Sequence, residues 1–247
     1  MKYKDTITFA HPIFGFDERA FRRALSTADS IITPFKDAQE AINTHLNIRF
    51  REGESAKKLV QERAKMIDCL IHYAWHQFEW DNTISLIAVG GYGRAELHPK
   101  SDIDILVLMN NGTAEQHASN VEQLLTLLWD IGLDIGHSVR TLDECSAIAK
   151  EDITVATNIM EARTLQGDNH LLQQLRLDTA PDKMWANDDF FLAKLNEQRE
   201  RHAKYNHTEY NLEPNIKNAP GGLRDIQTIK WVAKRFFNVD SFEQLNS

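Results

Sequence analysis

Apolar residues recur at helical spacing through the first third of the chain. The clearest stripe consists of Val60, Ala64, Ile67, Ile71, Ala74 and Phe78. These positions lie three or four residues apart, so one helix would place them on a single face. Such a face is typical of a helix that packs on a hydrophobic core. The pattern predicts a helical region over residues 1–82.

The pattern changes over residues 83–145, where short apolar runs replace the helical stripe. Residues 84–89 form an apolar run typical of a buried strand, and a second run begins near Asp102. A helix is predicted over about 114–130, and a third strand over residues 131–140. Strands that alternate with helices predict an α/β or α+β sheet domain.

Residues 146–247 are predicted to be mostly helical. The segment Thr-Leu-Asp-Glu at 141–144 has the form of a capping box, in which Thr141 and Glu144 satisfy backbone N–H groups at a helix start. A helix through Ile159, Ala162, Arg163 and Leu165 is predicted next, and another over residues 223–237, after a Gly-Gly turn. We expect this third region to pack beside the sheet domain.

Two carboxylates, Asp102 and Asp104, lie on either side of one apolar residue at the second strand. Side chains alternate in a strand, so both acids would share one face, about 6.5 Å apart at their α-carbons. They could therefore both reach divalent cations held about 3.5–4 Å apart. Taken alone, the pair is better explained as the polar face of an edge strand. The strand and glycines that precede it favour the metal-binding interpretation.

Gly90, Gly91 and Gly93 directly follow the first strand. Glycine permits a close approach of the backbone to a ligand, so main-chain N–H groups at these positions could face a phosphate. A dinucleotide-binding loop is excluded, because residues 94–101 are too few to hold the crossover helix that such a unit requires.

Further polar residues complete the candidate nucleotide site. Arg94, beside the glycines, and Arg140, on the third predicted strand, are candidate partners for phosphate groups, although an exposed arginine is usually just a solvated charge. Ser101 is either a nucleotide ligand or a turn residue before the second strand.

Residues 90–104 resemble the nucleotidyltransferase signature of the PII uridylyltransferases, the bifunctional uridylyltransferase/uridylyl-removing enzymes of bacterial nitrogen regulation. The matching residues are Gly-Gly-Tyr-Gly-Arg at 90–94, Glu-Leu-His-Pro at 96–99 and Ser-Asp-Ile-Asp at 101–104. Residues 210–217 and 220–227 are similar to the segment that follows the catalytic domain in that family.

The resemblance implies an α+β fold with a nucleotidyltransferase-type mixed sheet flanked by helices. The implied division is an N-terminal helical region at 1–82, a nucleotidyltransferase catalytic core at 83–145 and a helical substrate-side domain at 146–247 that closes the nucleotide cleft. A third carboxylate is implied on the strand next to the acid pair. The candidate is Asp134, because Leu133, Ile135 and Val139 would face the core while Asp134, Gly136, Ser138 and Arg140 would face the other way.

From sequence alone, Asp134 is equally well explained as a surface acid on an amphipathic strand. Gly136 is expected to leave room for substrate beside it. One position departs from the family pattern, because Ala95 stands where the family usually carries glycine. A positive φ there would strain alanine, whereas a helix start would suit it. We expect a helix start.

Three acids near one point repel each other unless cations bind among them, so Asp102, Asp104 and Asp134 predict bound Mg²⁺ or Mn²⁺. One ion would activate the attacking hydroxyl, and the other would hold the triphosphate during in-line attack at the α phosphorus. By resemblance, the nucleotide is UTP, the nucleophile is a tyrosine hydroxyl of the PII signal protein, and pyrophosphate is released. Two alternatives stay open: an adenylyltransferase acting on glutamine synthetase, and a nucleotide-binding regulatory module without turnover.

The composition narrows the class of protein. The chain has 28 basic and 36 acidic residues, a formal net charge of −8, which argues against nucleic acid as a partner. No apolar run approaches the roughly 20 residues that a membrane helix needs. We therefore expect a cytoplasmic enzyme that does not associate with membranes.

The chain is short for the family it resembles. Family enzymes continue into a metal-dependent hydrolase domain with a His-Asp motif and then into small-molecule sensing domains. None of the ten histidines here is followed by aspartate. The de-uridylylating site is therefore expected to be absent, and the chain to be either truncated relative to the family or an unusually short member.

Overall fold

The computed structural model describes residues 16–205, residues 215–239 and residue 244. Their helices and strands follow in the order α1 Glu18–Thr27, α2 Ile32–Arg51, α3 Ala56–Trp75, β1 Ile84–Ala88, α4 Gly90–Gly93, β2 Ile103–Met109, α5 Ala114–Asp130, β3 Ile135–Thr141, α6 Leu142–Glu151, α7 Ile153–Glu161, β4 Arg163–Gly167, α8 His170–Asp178, α9 Asn187–Ala203 and α10 Leu223–Phe237.

The four strands form one mixed sheet in the order β3-β2-β1-β4. β1 pairs antiparallel with both β2 and β4, whereas β2 and β3 are parallel. Parallel strands need a long crossover, and α5 with its 17 residues supplies it. The predicted α+β class, with a mixed sheet flanked by helices, is confirmed.

The hydrophobic core lies between one face of the sheet and the helices α1, α2, α3 and α5. Ile103, Ile105 and Val107 of β2 point into it, which leaves Asp104 on the opposite face. The stripe predicted for α3 is buried from Val60 to Ala74. Phe78 lies beyond the end of α3 and packs against the core from there.

The capping box at the start of α6 is confirmed. The backbone N–H of Thr141 donates to the Glu144 carboxylate at 2.8 Å, and the N–H of Glu144 donates back to the Thr141 hydroxyl at 3.4 Å. The helices predicted near 114–130 and at 223–237 are also present as α5 and α10.

The helix predicted through Ala162, Arg163 and Leu165 is wrong. α7 ends at Glu161, and Arg163–Gly167 is instead the strand β4. β4 pairs with β1, with Ala88 opposite Arg163. Without β4, β1 would be an edge strand with unpaired backbone groups. This long-range pairing outweighs the helical spacing of the local sequence.

The chain divides into two compact units. The first comprises Met1–Glu144 and Glu161–Gln174, and the second comprises Cys145–Met160 and Leu175–Ser247. The N-terminal helices and all four strands therefore belong to the first unit. The three-region division with boundaries at 82 and 145 stays a prediction. Among the described residues, no helix combines the length and the apolar character needed to cross a membrane.

Candidate active site

The glycine segment after β1 forms the single helical turn α4, and two of its glycines are required by the backbone. Gly90 has a φ of +58°. A Cβ atom at Gly93 would lie 2.5 Å from the carbonyl oxygen of Glu161 and 3.1 Å from that of Ala88. Both neighbours are backbone atoms, one at the end of α7 and the other at the end of β1, so they cannot move aside easily. The turn is therefore packed directly against the ends of β1 and α7.

Ala95 does not open a helix, and the expectation that it would is wrong. Its φ is +57°, in the left-handed region that glycine adopts most easily. Its N–H donates to the carbonyl of Tyr92 at 3.0 Å, which closes the turn after α4. Ala95 therefore has a strained backbone, at the position where the family that the sequence resembles usually has glycine.

Asp104 lies where the glycine turn and the third strand meet. Its register partner on β3 is Gly136. A Cβ at Gly136 would lie 2.6 Å from Oδ1 of Asp104, and one at Gly90 would lie 3.2 Å from its Oδ2. The half-buried carboxylate is thus held between two glycines. The space beside Gly136 is occupied by Asp104 itself, which corrects the expectation that it would be left for substrate.

Asp102 and Asp134 lie side by side at the beginnings of the parallel strands β2 and β3. Asp102 directly precedes Ile103, and Asp134 directly precedes Ile135. These two isoleucines are register partners in the parallel pair. The N–H of Ile103 donates to the carbonyl of Asp134 at 2.8 Å. Both acids are exposed. The structure therefore brings all three predicted acids to one end of the β2-β3 pair.

The donor set at this end of the sheet fits a divalent cation that is shared with a substrate. Mg²⁺ prefers oxygen ligands and is commonly held by one or two carboxylates together with substrate phosphates. Asp102 and Asp104 supply two carboxylates from one strand face. Within residues 16–205 and 215–239, no group of three or more acidic, histidine or cysteine side chains is arranged so that it could hold a metal ion. The role of Asp134 as a third ligand stays a prediction.

The two arginines predicted to contact phosphate, Arg94 and Arg140, lie in different parts of the sheet domain. Arg94 forms ion pairs with Glu161 at 2.6 Å and with Glu96 at 3.1 Å, so its guanidinium ties the glycine turn to the end of α7. Arg140 lies six residues along β3 from Asp134, a distance of about 20 Å in a strand. The structure does not bring Arg140 together with the acids.

Ser101 lies in a turn directly before β2. Its N–H donates to the carbonyl of His98 at 3.1 Å, and its side chain is exposed. Ser101 therefore lies in a turn, as one of the two interpretations of the sequence predicted. A nucleotide contact by its hydroxyl stays a prediction.

A polar cluster around the buried Tyr92 fixes the glycine turn, and no local pattern in the sequence indicates it. The hydroxyl of Tyr92, which is 1% exposed, donates to Asp68 at 2.6 Å. Arg163 of β4 donates to both oxygens of Asp68, at 2.8 and 3.0 Å. Burial first, and then the charge of Asp68, raise the pKa of Tyr92 well above its usual range. The cluster joins α3, α4 and β4 across as many as 95 residues of sequence.

In the second unit, Asp225 of the segment 220–227 stabilises the packing of α10 on α9. Its carboxylate accepts hydrogen bonds from Gly221 N–H at 2.7 Å, Arg201 at 2.6 Å and Gln198 at 2.9 Å. Although burial opposes ionisation, these hydrogen bonds hold the pKa of Asp225 well below its usual range. Asp225 thus ties the first turn of α10 both to Gly221, which precedes the helix, and to α9. Residues 210–214 of the other quoted block lie outside the described residues.

The mixed sheet, the glycine turn and the acid pair beside it define a nucleotidyltransferase domain. The family model described as nucleotidyltransferase domain matches residues 75–155, which include both β1 and β3. A second family model, described as GlnD PII-uridylyltransferase, matches residues 189–247.

Curated relatives agree with both models. A bifunctional uridylyltransferase/uridylyl-removing enzyme of Pseudomonas fluorescens is 52% identical over 222 residues, which cover 89% of this chain and 25% of that protein. Enzymes of the same name from Azotobacter vinelandii and Ectopseudomonas mendocina are 50% and 48% identical, over 90% and 93% of this chain and 25% and 26% of their own lengths. The chain is therefore a homologue of part of these bifunctional uridylyltransferase/uridylyl-removing enzymes, and it spans about a quarter of their length.

Proposed function

We propose that the chain transfers UMP from UTP to a tyrosine hydroxyl of the PII signal protein and releases pyrophosphate. The observation that carries the proposal is the position of Asp104. Its carboxylate is held between Gly90 of the glycine turn and Gly136 of β3, so an acid meets the part of the backbone that can approach a phosphate most closely.

Asp102 and Asp104 are the proposed ligands of Mg²⁺, or of Mn²⁺ in its place, and Asp134 is the proposed third ligand. A bound divalent cation would neutralise the triphosphate and lower the pKa of the attacking hydroxyl. The chain itself orients the acids: the glycines on either side fix Asp104, and the strand pairing at Ile103 places Asp134 beside Asp102. The glycine turn is the proposed phosphate-facing backbone.

Of the two predicted arginines, Arg94 is the better placed to support the site. It pairs with Glu161 and Glu96, and these pairs hold the turn that carries Gly91 and Gly93. We propose that it positions the glycine turn rather than binding phosphate as its main role. Ser101 adjoins Asp102 and stays a proposed nucleotide contact.

The proposal is tested by intact-mass analysis of purified PII protein after incubation with this chain, Mg²⁺ and UTP, with ATP in a parallel reaction. We expect a gain of one UMP with UTP only. Asp104→Asn removes a proposed metal ligand, and it should slow the transfer by about 100-fold or more, since a metal ion contributes several kcal/mol to such a transition state.

Asp130→Asn is a matched control, because it makes the same change at an exposed acid at the end of α5. Equal transfer rates in the two variants would rule out the proposed role of Asp104. A gain of AMP instead of UMP would favour the adenylyltransferase alternative, with glutamine synthetase as the acceptor to test. Nucleotide binding without transfer to either acceptor would favour the regulatory module.

A further inference from the structure

The second unit contains a cavity of about 360 Å³ whose charged lining differs in sign from the rest of the chain. Ligand-binding clefts typically have volumes of about 300–1,000 Å³, so the cavity can hold a small molecule. Its charged lining residues are Lys194, Arg201, Lys204, Arg224, Glu197 and Glu200. Four cations and two acids give the lining a net charge of +2, whereas the whole chain carries −8.

Lys194 is the most deeply buried of these cations. Its side chain is 2% exposed, and its ammonium lies 4.4 Å from the ring centroid of Trp231 and 2.5 Å from Glu197. Burial lowers the pKa of Lys194, and the positive charges of Arg224 and Arg201 act in the same direction, against the effect of Glu197. Both arginines are therefore close enough to Lys194 to repel its ammonium, and a bound anion would relieve that repulsion.

The two arginines present planar donors to the same cavity. The guanidinium of Arg224 lies 5.4 Å from the Trp231 ring centroid, so two cations share one aromatic ring. Arg201 is held by Asp225 and by the carbonyl of Asn218, at 2.6 and 2.9 Å. Among the described residues, the buried Nε of Arg201 has no hydrogen-bond partner. Arg201 also lines the cavity, so an anion bound there would accept hydrogen bonds from its guanidinium.

We propose that this cavity is a binding site for a phosphate-bearing anion, with Lys194, Arg201 and Arg224 as its principal contacts and Lys204 at its exposed side. Guanidinium groups match the geometry of phosphate oxygens, and such charge-assisted hydrogen bonds are stronger than neutral ones. The phosphate could be that of a nucleotide or of a free anion such as pyrophosphate. The proposal concerns residues of the second unit alone and does not depend on the transferase activity.

The test is calorimetric titration of the purified chain with inorganic pyrophosphate, and separately with UTP, in buffer that contains EDTA to remove divalent metal. Arg224→Gln and Lys204→Gln each remove one cation from the lining. Lys150→Gln is the matched control, since it makes the same charge change at an exposed lysine of α6 outside the cavity. Unfolding midpoints of all variants establish that each one is folded.

We expect the Lys150→Gln variant to bind like the original chain and Arg224→Gln to bind about 10-fold or more weakly, since one charge-assisted hydrogen bond contributes about that factor. Lys204→Gln should weaken binding in the same direction. If pyrophosphate shows this pattern, the free anion is sufficient; if only UTP shows it, the site takes a nucleotide. Binding that is equal in Arg224→Gln and Lys150→Gln, or absent for both ligands in the original chain, would overturn the proposal.

Discussion

Adding one methyl group at Gly93 should disrupt the packing of the glycine turn. In Gly93→Ala, the added Cβ would lie 2.5 Å from the carbonyl oxygen of Glu161. Opening this contact to 3.0 Å, the shortest separation found for real Cβ atoms, requires a backbone shift of at least 0.5 Å. The Ala88 carbonyl, at 3.1 Å, blocks movement in another direction.

The expected loss of stability follows from this geometry. Overpacking of a well-packed site costs about 1–3 kcal/mol, and here the crowded atoms belong to the backbone of two neighbouring elements. We therefore expect Gly93→Ala to lower the free energy of unfolding by about 2–3 kcal/mol, at the upper end of that range. The variant should unfold at a lower urea concentration, with a similar dependence of the free energy on urea.

Gly91→Ala provides the matched control in the same turn. A Cβ there would lie 3.4 Å from the carbonyl oxygen of Glu96 and 3.6 Å from the Arg94 guanidinium, both close to ordinary contacts. Gly91 has no positive φ. Since alanine is favoured over glycine in a helix by up to about 1 kcal/mol, this variant should differ from the original chain by no more than that.

Urea unfolding followed by circular dichroism measures both variants under the same conditions. If Gly93→Ala proves as stable as Gly91→Ala, the close approach of the glycine turn to the end of α7 is not a constraint on the fold. The predicted loss of stability in Gly93→Ala would then be refuted.

Three further predictions concern stability. Ala95→Gly should raise the free energy of unfolding by about 0.5–1 kcal/mol, because relief of the left-handed strain, about 1–2 kcal/mol, exceeds the extra entropy that glycine loses on folding; an unchanged or lower urea midpoint would contradict the strain. Tyr92→Phe should lower the free energy of unfolding by about 1.5–3 kcal/mol, the range for a buried hydrogen bond to a charged group. When Asp68 is already replaced by Asn, Tyr92→Phe should cost less, and a double-mutant cycle measures the difference. The pKa of Asp225 lies below its ordinary value of 3.8 in the folded chain, so ionised Asp225 stabilises the fold at pH values above 3.8. This contribution is lost as the pH falls toward the native pKa. Urea midpoints between about pH 3 and pH 6 should therefore fall less steeply on acidification in Asp225→Asn than in the original chain, and parallel slopes would refute the assignment.

The elements that the sequence predicted correctly are those whose signals are local. The capping box needs only Thr141 and Glu144, three residues apart, and the hydrogen bonds between them are present. The stripe on α3 and the buried strand β1 follow from spacing within a few residues. The acid pair is of the same kind, because alternation along one strand places Asp102 and Asp104 on the same face whatever the strand pairs with.

Two local interpretations failed because the competing interactions come from elsewhere in the chain. The segment 163–167 has helical spacing, yet it pairs with β1, which lies about 80 residues earlier and supplies the hydrogen-bond partners of a strand. Ala95 suits a helix by propensity, yet the turn that brings α4 back toward β2 requires a positive φ at that residue. Propensity is the weaker effect in both cases.

By itself, the pattern of the sequence determined a sheet domain with helices, the glycine turn and the acid pair, since apolar period, glycine content and residue alternation act over a few neighbouring positions. Only the tertiary structure decided that Asp104 fills the space above Gly136, that Asp68 and Arg163 anchor the turn through Tyr92, and that cations of α9 and α10 converge on one cavity. Each of these depends on the register of strands or the packing of helices that are distant in sequence. Strand register and helix packing are set by contacts throughout the core, and a short segment of the sequence does not include the residues that make those contacts.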